Sequence, residues 1–449
     1  MKETHIECAG AGKTYGIAEK VVEMLGQCPK GMKIYAITYT NYAVSQIKGE
    51  ILKQIHYIPD EVVINTVHGF LLEHIIYPFS PYVKNTPIQS CSIEKLNDNI
   101  KWKNLRKKQL KDIEIIHSDA VTQYAKSIIV PQSGDNKKIK QCKEIALQYL
   151  ISDLFCLFVD EAQDMDEEFF DLMKVLIPRI KHYCFVGDPN QDLWGKNQYD
   201  RFIDFIKATY GIEPILKLTS RRVPQSVIPL CNKILRPEFQ IASSNKVLGV
   251  VEYILASELG DTEKRILSGN TAFSMIKSST DIFVTKPENA ITLPHEFKEV
   301  LQQKFETFDI DAVLMTAIEL IKRDGLCKFL NNYKMHISNK TYAMVASQFG
   351  SEEKGVVHLD SIHKLKGLEN ETVYFVACNS LLEIMLGLKN NYNKETNLLY
   401  VALTRTKSRL LLIVLDDNTT KKSFEAHGVN IEDSLHKIGI LHANKSTWF

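Results

Sequence analysis

The sequence predicts an α/β protein in which parallel sheets are flanked by helices and grouped into two cores. Apolar runs of strand length recur ahead of polar turns, and segments with helical spacing lie between many of them. Alternation of this kind is typical of parallel sheets, because each return to the same edge requires a crossover. The predicted strands are residues 34–38, 62–65, 154–159, 183–186, 251–254, 341–346, 356–359, 373–377 and 410–415.

Two mostly helical stretches interrupt this alternation and divide the chain. The first is also polar and basic, and it contains a turn-forming segment at 131–136. Beyond residue 416 the chain shows only weak structure signals. We therefore predict a first core at 1–70 and 151–212 with a helical insertion at 71–150, and a second core at 213–255 and 339–449 with a helical insertion at 256–338.

Composition excludes several classes of protein. No apolar run approaches the length of a membrane span, and the nine cysteines are scattered without a CxxC pair, which argues against a zinc site or a disulfide framework. We expect a reduced, cytoplasmic protein with no membrane partner. The net charge of +1 neither supports nor excludes nucleic acid. A basic cluster at 101–111 around Trp102 is either a solvated helix face or a surface for phosphate or a partner.

A glycine-rich segment follows the first short strand and opens a helix. It reads Ala9, Gly10, Ala11, Gly12, Lys13, Thr14. Small residues allow backbone N–H groups to approach phosphate oxygens, and the helix N-terminus favours an anion. Lys13 is placed to reach the β- and γ-phosphates of ATP, and the Thr14 hydroxyl to bind Mg²⁺. One position departs from the full pattern, because Glu7 stands where a small residue is usual.

A second piece of nucleotide chemistry follows the apolar strand at 154–159. Asp160 is placed for the magnesium shell and Glu161 for the activation of the attacking water. Carboxylates at a strand end also cap helices, which is the plainer interpretation. Because both pieces occur in their expected strand context, the sequence predicts a P-loop NTPase that uses ATP and Mg²⁺.

Further segments, in order along the chain, resemble the motifs of the UvrD/Rep-type superfamily 1 DNA helicases, which are built from two RecA-like cores. These are 36–41 (AITYTN), 65–70 (NTVHGF), 160–164 (DEAQD), 186–191 (VGDPNQ), 218–222 (LTSRR), 361–369 (SIHKLKGLE) and 400–407 (YVALTRTK). The resemblance spans the chain apart from the two helical stretches. It implies an ATP-dependent DNA helicase or translocase with 3′–5′ polarity.

The resemblance also implies roles for single residues. Arg222 and Arg405 are expected to be arginine fingers, Gln191 to sense the γ-phosphate, and Glu369 to approach the ribose. Arg221 occupies the position of the tyrosine that stacks on adenine in the family. The residues expected to contact DNA are Tyr39, Thr40, Asn41, His68, Trp194, His363 and Lys366.

Departures from the family pattern narrow the resemblance. The adenine-reading segment usually found ahead of the cradle has no room here, and Trp194 lies in a run that differs from the family's, where it either stacks on a base or anchors the motif from within. The gap between Arg222 and Ser361 is short, so the insertion at 256–338 is reduced. This layout resembles the helicase-like subunit of Gabija antiphage systems, which works with an OLD-type nuclease. The alternative function is an ATPase subunit that senses nucleotide or DNA ends and regulates such a nuclease without processive unwinding.

Overall fold

The fold is described from a computed structural model of the chain. It describes residues 1–96, 99–269, 272–285, 294–305, 313–314, 316–318, 320–321, 325–339, 341–342, 345, 357–389 and 392–449. No helix in these ranges is both long and apolar enough to cross a lipid bilayer.

The strands and helices of the described residues follow in chain order. The strands are β1 Lys2–Glu7, β2 Lys33–Thr38, β3 Val62–Thr66, β4 Ser90–Ser92, β5 Ile115–His117, β6 Leu154–Val159, β7 His182–Gly187, β8 Ile215–Lys217, β9 Thr219–Ser220, β10 Ala242–Ser243, β11 Val250–Leu255, β12 Phe273–Ile276, β13 Phe283–Thr285, β14 Val357–Ser361, β15 Asn370–Ala377, β16 Thr406–Val414 and β17 Leu441–His442. The α-helices are α1 Lys13–Leu25, α2 Asn41–Ile55, α3 Val67–Leu71, α4 Tyr77–Lys84, α5 Ile100–Asp112, α6 Val121–Ile129, α7 Lys137–Asp153, α8 Glu167–Leu176, α9 Gln198–Tyr210, α10 Ile228–Ile234, α11 Asp261–Ser268, α12 His295–Lys304, α13 Leu326–Tyr333, α14 Asn379–Met385, α15 Lys394–Leu403, α16 Asn418–Ala426, α17 Ile431–Lys437 and α18 Lys445–Trp448.

The first large sheet has six parallel strands in the order β3-β2-β6-β7-β1-β8. Both of its faces are covered, which is why the inner strands β2, β6 and β7 are mostly apolar. In β2, Tyr35 and Ile37 face one apolar cluster, while Ile34 and Ala36 face the cluster formed with α1 and α2.

The second large sheet has seven parallel strands in the order β13-β14-β12-β15-β16-β11-β17. Its longest pairing joins β15 to β16, from Asn370 opposite Thr406 to Ala377 opposite Val414. Helices α10, α14, α15, α16 and α17 contribute to the apolar cluster on one face, and α11 and α18 to that on the other. The α/β class predicted from the sequence is therefore confirmed.

Several predicted elements differ from the structure. Strands β12 and β13 of the second sheet lie inside the stretch predicted as a helical insertion at 256–338. They were not predicted because their short apolar runs stand among polar residues. The strand predicted at 341–346 is wrong for its described part, since residues 341, 342 and 345 are helical and the rest lies outside the described residues. The weakly patterned tail after residue 416 forms α16, α17, β17 and α18, and β17 joins the second sheet.

The stretch predicted as an insertion at 71–150 is only partly separate from the first sheet. Val121, Ala125 and Ile128 of α6 belong to the same apolar cluster as the buried strand β6, and so do Ala146 and Leu150 of α7. Helix α5 differs, because Leu110 is its only fully buried residue. The packing of α6 and α7 places the insertion against the face of the sheet that lies opposite α1.

Candidate nucleotide-binding site

A cavity of about 1150 Å³ lies where the two cores meet, beside the carboxyl ends of β1, β6 and β7. Ligand sites of open parallel sheets occur at this edge. Most of the residues predicted from the sequence line it, from both cores: Gly10, Gly12, Lys13, Thr14, Thr40, Glu161, Gln191, Arg221, Arg222, His363, Lys366, Glu369 and Arg405. The predicted residues outside this lining are Ala11, Tyr39, Asn41, His68, Asp160 and Trp194.

The phosphate cradle is the loop between β1 and α1. Gly10 and Gly12 have positive φ values of 75° and 93°, which favour glycine. A Cβ at Gly10 would lie 2.5 Å from Cβ of Arg222, so only glycine allows the second core to come this close. No side chain caps α1 at Gly12. The first N–H groups of the helix are therefore available to an anion, and Ala11 leaves the loop open.

Lys13 is surrounded by carboxylates. Burial opposes its charged form, but the carboxylates of Glu161, Asp188 and Asp160 outweigh burial and raise the pKa of Lys13 above its ordinary value. The side chain therefore stays an ammonium group, which is the form that binds phosphate oxygens.

Thr14 and Asp160 form an oxygen-rich pair at the base of the cradle. The Thr14 hydroxyl donates to Oδ2 of Asp160 over 3.4 Å. Burial, and then the neighbouring Glu161 carboxylate, raise the pKa of Asp160. A buried carboxylate beside another one is stabilised by a cation, and oxygen ligands are those that Mg²⁺ prefers. These residues therefore fit the predicted role in holding Mg²⁺.

Glu161 has surroundings that suit a base. Its φ of 52° lies in the left-handed region, which turns the chain sharply after β6. The carboxamide of Gln163 donates to Glu161 and accepts from the Asp188 N–H at 3.0 Å. Burial alone would raise the pKa of Glu161, but Lys13 and Lys366 lower it. The carboxylate is therefore ionised and able to accept a proton.

Gln191 lies on a short 3₁₀ turn, Pro189–Gln191, directly after β7. Its Nε2 donates to Oδ2 of Asp188 over 2.8 Å, and its side chain is 3% exposed. The fixed carboxamide lines the cavity, in accordance with the predicted role in sensing the γ-phosphate.

The second core supplies two arginines. Arg405 is 1% exposed, and its guanidinium donates to the backbone oxygens of Val401 at 3.0 Å and Leu368 at 3.1 Å. Burial, together with the cationic Arg222, lowers its pKa to about 10. Arg222 forms an ion pair with Glu369, which also pairs with Lys407 at 2.8 Å. Glu369 thus orients an arginine, while its approach to a ribose stays a prediction.

The residues predicted to contact DNA are placed unevenly. The Thr40 hydroxyl accepts from the Ala43 N–H at 3.1 Å and caps α2, and Asn41 begins that helix in an exposed position. His68 is exposed on α3. The Tyr39 ring instead packs edge-on against Phe169 with 6.5 Å between ring centroids.

Trp194 and Lys366 connect the two cores. Trp194 is 61% exposed, which excludes the interpretation of a buried anchor. Its ring centroid lies 5.9 Å from that of His363 and 5.7 Å from Nζ of Lys394. Nζ of Lys366 binds both carboxylate oxygens of Asp164, at 2.6 and 2.7 Å. The segment around Lys366 therefore touches the acidic segment that carries Glu161.

Sequence reasoning missed several residues of the site. Gln163 and Asp188 stand inside two of the recognised segments, so their position was a usable signal, but their hydrogen bonds to Glu161 and Gln191 depend on the fold. Tyr15 lines the cavity with Arg221 and directly follows Thr14. Its position after the cradle was the only signal.

Models of two known protein families match the chain. An AAA domain model matches residues 6–195, and a UvrD-like helicase C-terminal domain model matches residues 272–417. The chain thus combines an AAA domain with a UvrD-like helicase C-terminal domain. The first match covers β2, β3, β6 and β7 of the first sheet, the second covers β12 to β16 of the second sheet, and together they indicate a helicase-type ATPase.

Three curated relatives show how far the similarity extends. The Gabija protein GajB of Bacillus cereus (strain VD045) is 23% identical over 478 residues, which cover 90% of this UvrD-like chain and 91% of GajB. The ATP-dependent DNA helicase Rep of Buchnera aphidicola subsp. Acyrthosiphon pisum is 23% identical, over 60% of this chain and 45% of Rep. The ATP-dependent DNA helicase PcrA of Staphylococcus aureus (strain Mu50) is 21% identical, over 51% of this chain and 37% of PcrA. The UvrD-like chain thus spans less than half of the length of Rep and PcrA.

Proposed function

We propose that this UvrD-like protein is an ATP-driven motor on single-stranded DNA, in which DNA binding accelerates ATP hydrolysis. The observation that carries the proposal is that Arg222 and Arg405 of the second core line one cavity with Lys13 of the first. A site divided between two cores is complete only when the cores are closed, and this links hydrolysis to movement.

The chemistry assigned to the site is the transfer of the γ-phosphoryl group to water. Glu161 accepts a proton from the water as the water oxygen bonds to the γ-phosphorus, and the bond to the oxygen of the leaving ADP breaks. Arg222 and Arg405 offset the charge that develops on the phosphoryl group. Mg²⁺, held by Thr14 and Asp160, would neutralise charge on the phosphate oxygens.

The proposed coupling of ATP hydrolysis to DNA binding is supported by residues that line the nucleotide cavity and are also predicted to contact DNA. His363 and Lys366 line the nucleotide cavity and belong to the segment predicted to contact DNA. Lys366 also binds Asp164, three residues from Glu161. A strand that displaced Lys366 from Asp164 would change the charge around the base, and this supports stimulation by DNA. The proposed direction of movement, 3′–5′, rests on the family resemblance alone.

The proposed biological setting is antiphage defence together with an OLD-type nuclease. The similarity to GajB over nine-tenths of both chains supports this setting, since GajB is named as a Gabija protein. DNA cleavage would then belong to the partner.

A second function is a regulatory ATPase that senses nucleotide or DNA ends without unwinding. The packing of Tyr39 against Phe169 favours it, because an aromatic ring held against the first core has less freedom to stack on a base. Tyr42 follows the segment 36–41 at a position where the UvrD/Rep-type family usually has a basic residue, and this departure also favours the regulatory ATPase.

The deciding measurement is ATP hydrolysis with and without single-stranded DNA, for the wild type, Lys13→Ala and Lys181→Ala. Lys181 is exposed at the opposite edge of the first sheet and serves as the matched control. We expect hydrolysis that rises with DNA in the wild type and in Lys181→Ala, and none in Lys13→Ala.

Two other outcomes separate the hypotheses. Hydrolysis that ignores DNA would contradict the motor and favour the regulatory ATPase, which would then be assayed with a purified OLD-type nuclease. Activity that survives in Lys13→Ala would show that the cavity is not the site of hydrolysis.

A further inference from the structure

Tyr400 is a buried side chain of the second core that reaches the phosphate cradle of the first. It lies on α15 and is 0% exposed. Its hydroxyl accepts a hydrogen bond from the N–H of Ala9 at 3.1 Å. Ala9 directly precedes Gly10 and packs, with Cys8, in the apolar cluster of the second core. The N-terminal end of the phosphate cradle is therefore hydrogen-bonded to α15.

The same hydroxyl lies near the residue that holds the predicted γ-phosphate sensor. The carboxylate of Asp188 is an electrostatic neighbour of the Tyr400 hydroxyl. Asp188 in turn accepts from Nε2 of Gln191 at 2.8 Å and from the N–H of Asn190 at 3.1 Å. Tyr400 of the second core thus stands between two groups of the first core, the N–H of Ala9 that it binds and the carboxylate of Asp188 that holds Gln191.

A second contact joins α15 to the same turn. Nδ2 of Asn397, nearly one helical turn before Tyr400, donates to the backbone oxygens of Asp192 at 3.0 Å and Pro189 at 3.4 Å. These oxygens flank Gln191 along the chain. Helix α15 therefore binds the turn Pro189–Gln191 through Asn397 and the phosphate cradle through Tyr400, and a shift of the helix would disturb the carboxamide of Gln191.

Helix α15 also sets the position of Arg405. The backbone oxygen of Val401, next to Tyr400, accepts from Nε of Arg405 at 3.0 Å. One helix consequently determines where the γ-phosphate sensor of the first core and an arginine of the second core stand relative to each other. Side chains that are tied to one rigid element move together.

We propose that Tyr400 is a positioning residue that aligns Gln191 and the phosphate cradle with Arg405, so that the site distinguishes ATP from ADP. The proposal rests on the proposed function, because it assigns Tyr400 to the same nucleotide site. Tyr400 touches no phosphate in this role and acts through Asp188 and Gln191.

The test compares Tyr400→Phe with the wild type in equilibrium binding of ADP and of a non-hydrolysable ATP analogue, both with Mg²⁺. Phenylalanine keeps the ring and removes the hydroxyl. We expect the preference for the analogue over ADP to fall about tenfold, which is the upper end of the net contribution of one hydrogen bond. We expect ADP affinity to stay within about twofold, since the cradle retains Lys13 and its N–H groups.

A double-mutant cycle shows whether Tyr400 acts through Gln191. In the Gln191→Ala background, Tyr400→Phe is expected to have little further effect on the preference, because coupled residues are not additive. The matched control is Tyr253→Phe, which removes a hydroxyl that donates to Glu432 at 3.0 Å, from a ring equally buried in the second core. This control should keep the wild-type preference.

Several results would overturn the inference. These are an unchanged preference in a folded Tyr400→Phe protein, an equal loss of both affinities, full additivity with Gln191→Ala, or a wild type that binds both nucleotides alike. Should Tyr400→Phe fail to fold, Asn397→Ala provides the second variant, with a reduced preference expected and an unchanged one contradicting the proposal. The binding test requires no hydrolysis. A wild type without DNA-stimulated ATPase activity would therefore contradict the proposed function, while the nucleotide preference of Tyr400→Phe would still test the role of Tyr400.

Discussion

Two adjacent carboxylates after β6 have different surroundings, and these surroundings separate their roles. Asp160 is 1% exposed and lies beside the Thr14 hydroxyl, whereas Glu161 lies beside the cations Lys13 and Lys366. The cations keep Glu161 ionised, which is the form that accepts a proton, whereas Asp160 is a buried carboxylate with a raised pKa, whose charge a metal cation would offset.

Glu161→Gln is expected to keep nucleotide binding and to lower the rate of hydrolysis by about 100-fold or more, because the amide accepts no proton. The measurement is phosphate release at saturating ATP, with binding followed separately. Glu167→Gln, an exposed position in the first turn of α8, is the control and should keep the wild-type rate. A Glu161→Gln protein with near-normal turnover would assign the base to another residue.

Arg405→Lys is expected to lower hydrolysis by about 1,000-fold, the smaller end of the range for an arginine finger. Lysine has no planar fork to span the oxygens of Val401 and Leu368, so the cation would shift within the cavity. The assay is single-turnover hydrolysis, and Arg409→Lys, whose guanidinium stacks on Trp448 away from the cavity, is the control. Equal loss in both variants would indicate a general effect on the second core.

At this scale the sequence predicted the identity of the arginines through their place in recognised segments. It did not predict their partners. Glu369 was expected at a ribose, and the structure pairs it with Arg222 and Lys407. Ion pairs of this kind join residues far apart in the chain, and no local pattern encodes them.

At the scale of elements, β1 explains why the cradle begins with an unusual residue. Glu7 is 2% exposed and pairs with Nδ1 of His5 at 3.0 Å and with Nζ of Lys217 at 2.8 Å. His5 binds Glu3 through its other ring nitrogen at 2.8 Å, and Lys20 binds Glu3 at 2.7 Å. The acid that departs from the family pattern is therefore neutralised within the sheet.

This network predicts acid sensitivity. Burial alone would raise the pKa of Glu7, but His5 and Lys217 outweigh it and hold the pKa below its ordinary value of 4.5. A carboxyl whose pKa is lower in the folded state contributes stability above pH 4.5 and loses it as the pH falls through the folded pKa. We expect Glu7→Gln to lower Tm at pH 7, with the difference from wild type shrinking below pH 4.5.

The control for this titration is Glu213→Gln, a 66% exposed partner of Lys207. Exposed pairs contribute little, so its Tm should follow that of the wild type at every pH. A Glu7→Gln difference that stayed constant from pH 7 to pH 4 would refute the electrostatic explanation.

The role of the basic helix α5 could not be predicted from its sequence. Lys103 and Lys107 pair with Asp119, and Arg106 pairs with Glu94, which favours a solvated face for half of the cluster. Trp102, however, is 62% exposed. The charge pattern alone could not separate these cases, because the acidic partners come from outside the helix.

At the scale of the whole molecule, the contacts between the cores surround the nucleotide cavity. They include Lys366 with Asp164, Tyr400 with Ala9, and Asn397 with Asp192. A ligand that bridges two bodies stabilises their closed arrangement in proportion to its binding energy. The cores should therefore respond together to nucleotide.

We expect Mg²⁺ with a non-hydrolysable ATP analogue, at about 100 times its Kd, to stabilise the protein by about 2.7 kcal/mol. A thermal shift assay would show this as a higher Tm for the transition of both cores. Chelation with EDTA should abolish most of the shift, because Thr14 and Asp160 then lack the cation. A shift that is unaffected by EDTA would contradict the assignment of Thr14 and Asp160.

The alternation of strands and helices was sufficient to predict two parallel sheets, but not the order of their strands. β11 pairs with β16, which begins about 150 residues later, and β12 and β13 are too short and too polar in context to be recognised. Strand order depends on long-range packing, while sequence periodicity reports only local structure. Thirteen of the nineteen predicted site residues line the cavity, whereas the contacts of α15 with the first core were not predicted.

The position of β1 between β7 and β8 has a consequence for the synthesis of the protein. β1 leaves the ribosome before the other strands of the first sheet, yet its partners at 182–187 and 215–217 emerge last among them. At 5–20 residues per second, this separation corresponds to roughly 10 to 40 s of translation. β2 and β3 are able to pair early. The nascent chain therefore carries β1, whose His5 and Glu7 become buried only in the sheet, without its neighbours for most of this time. Such high contact order slows the completion of the sheet and makes the yield sensitive to the speed of translation.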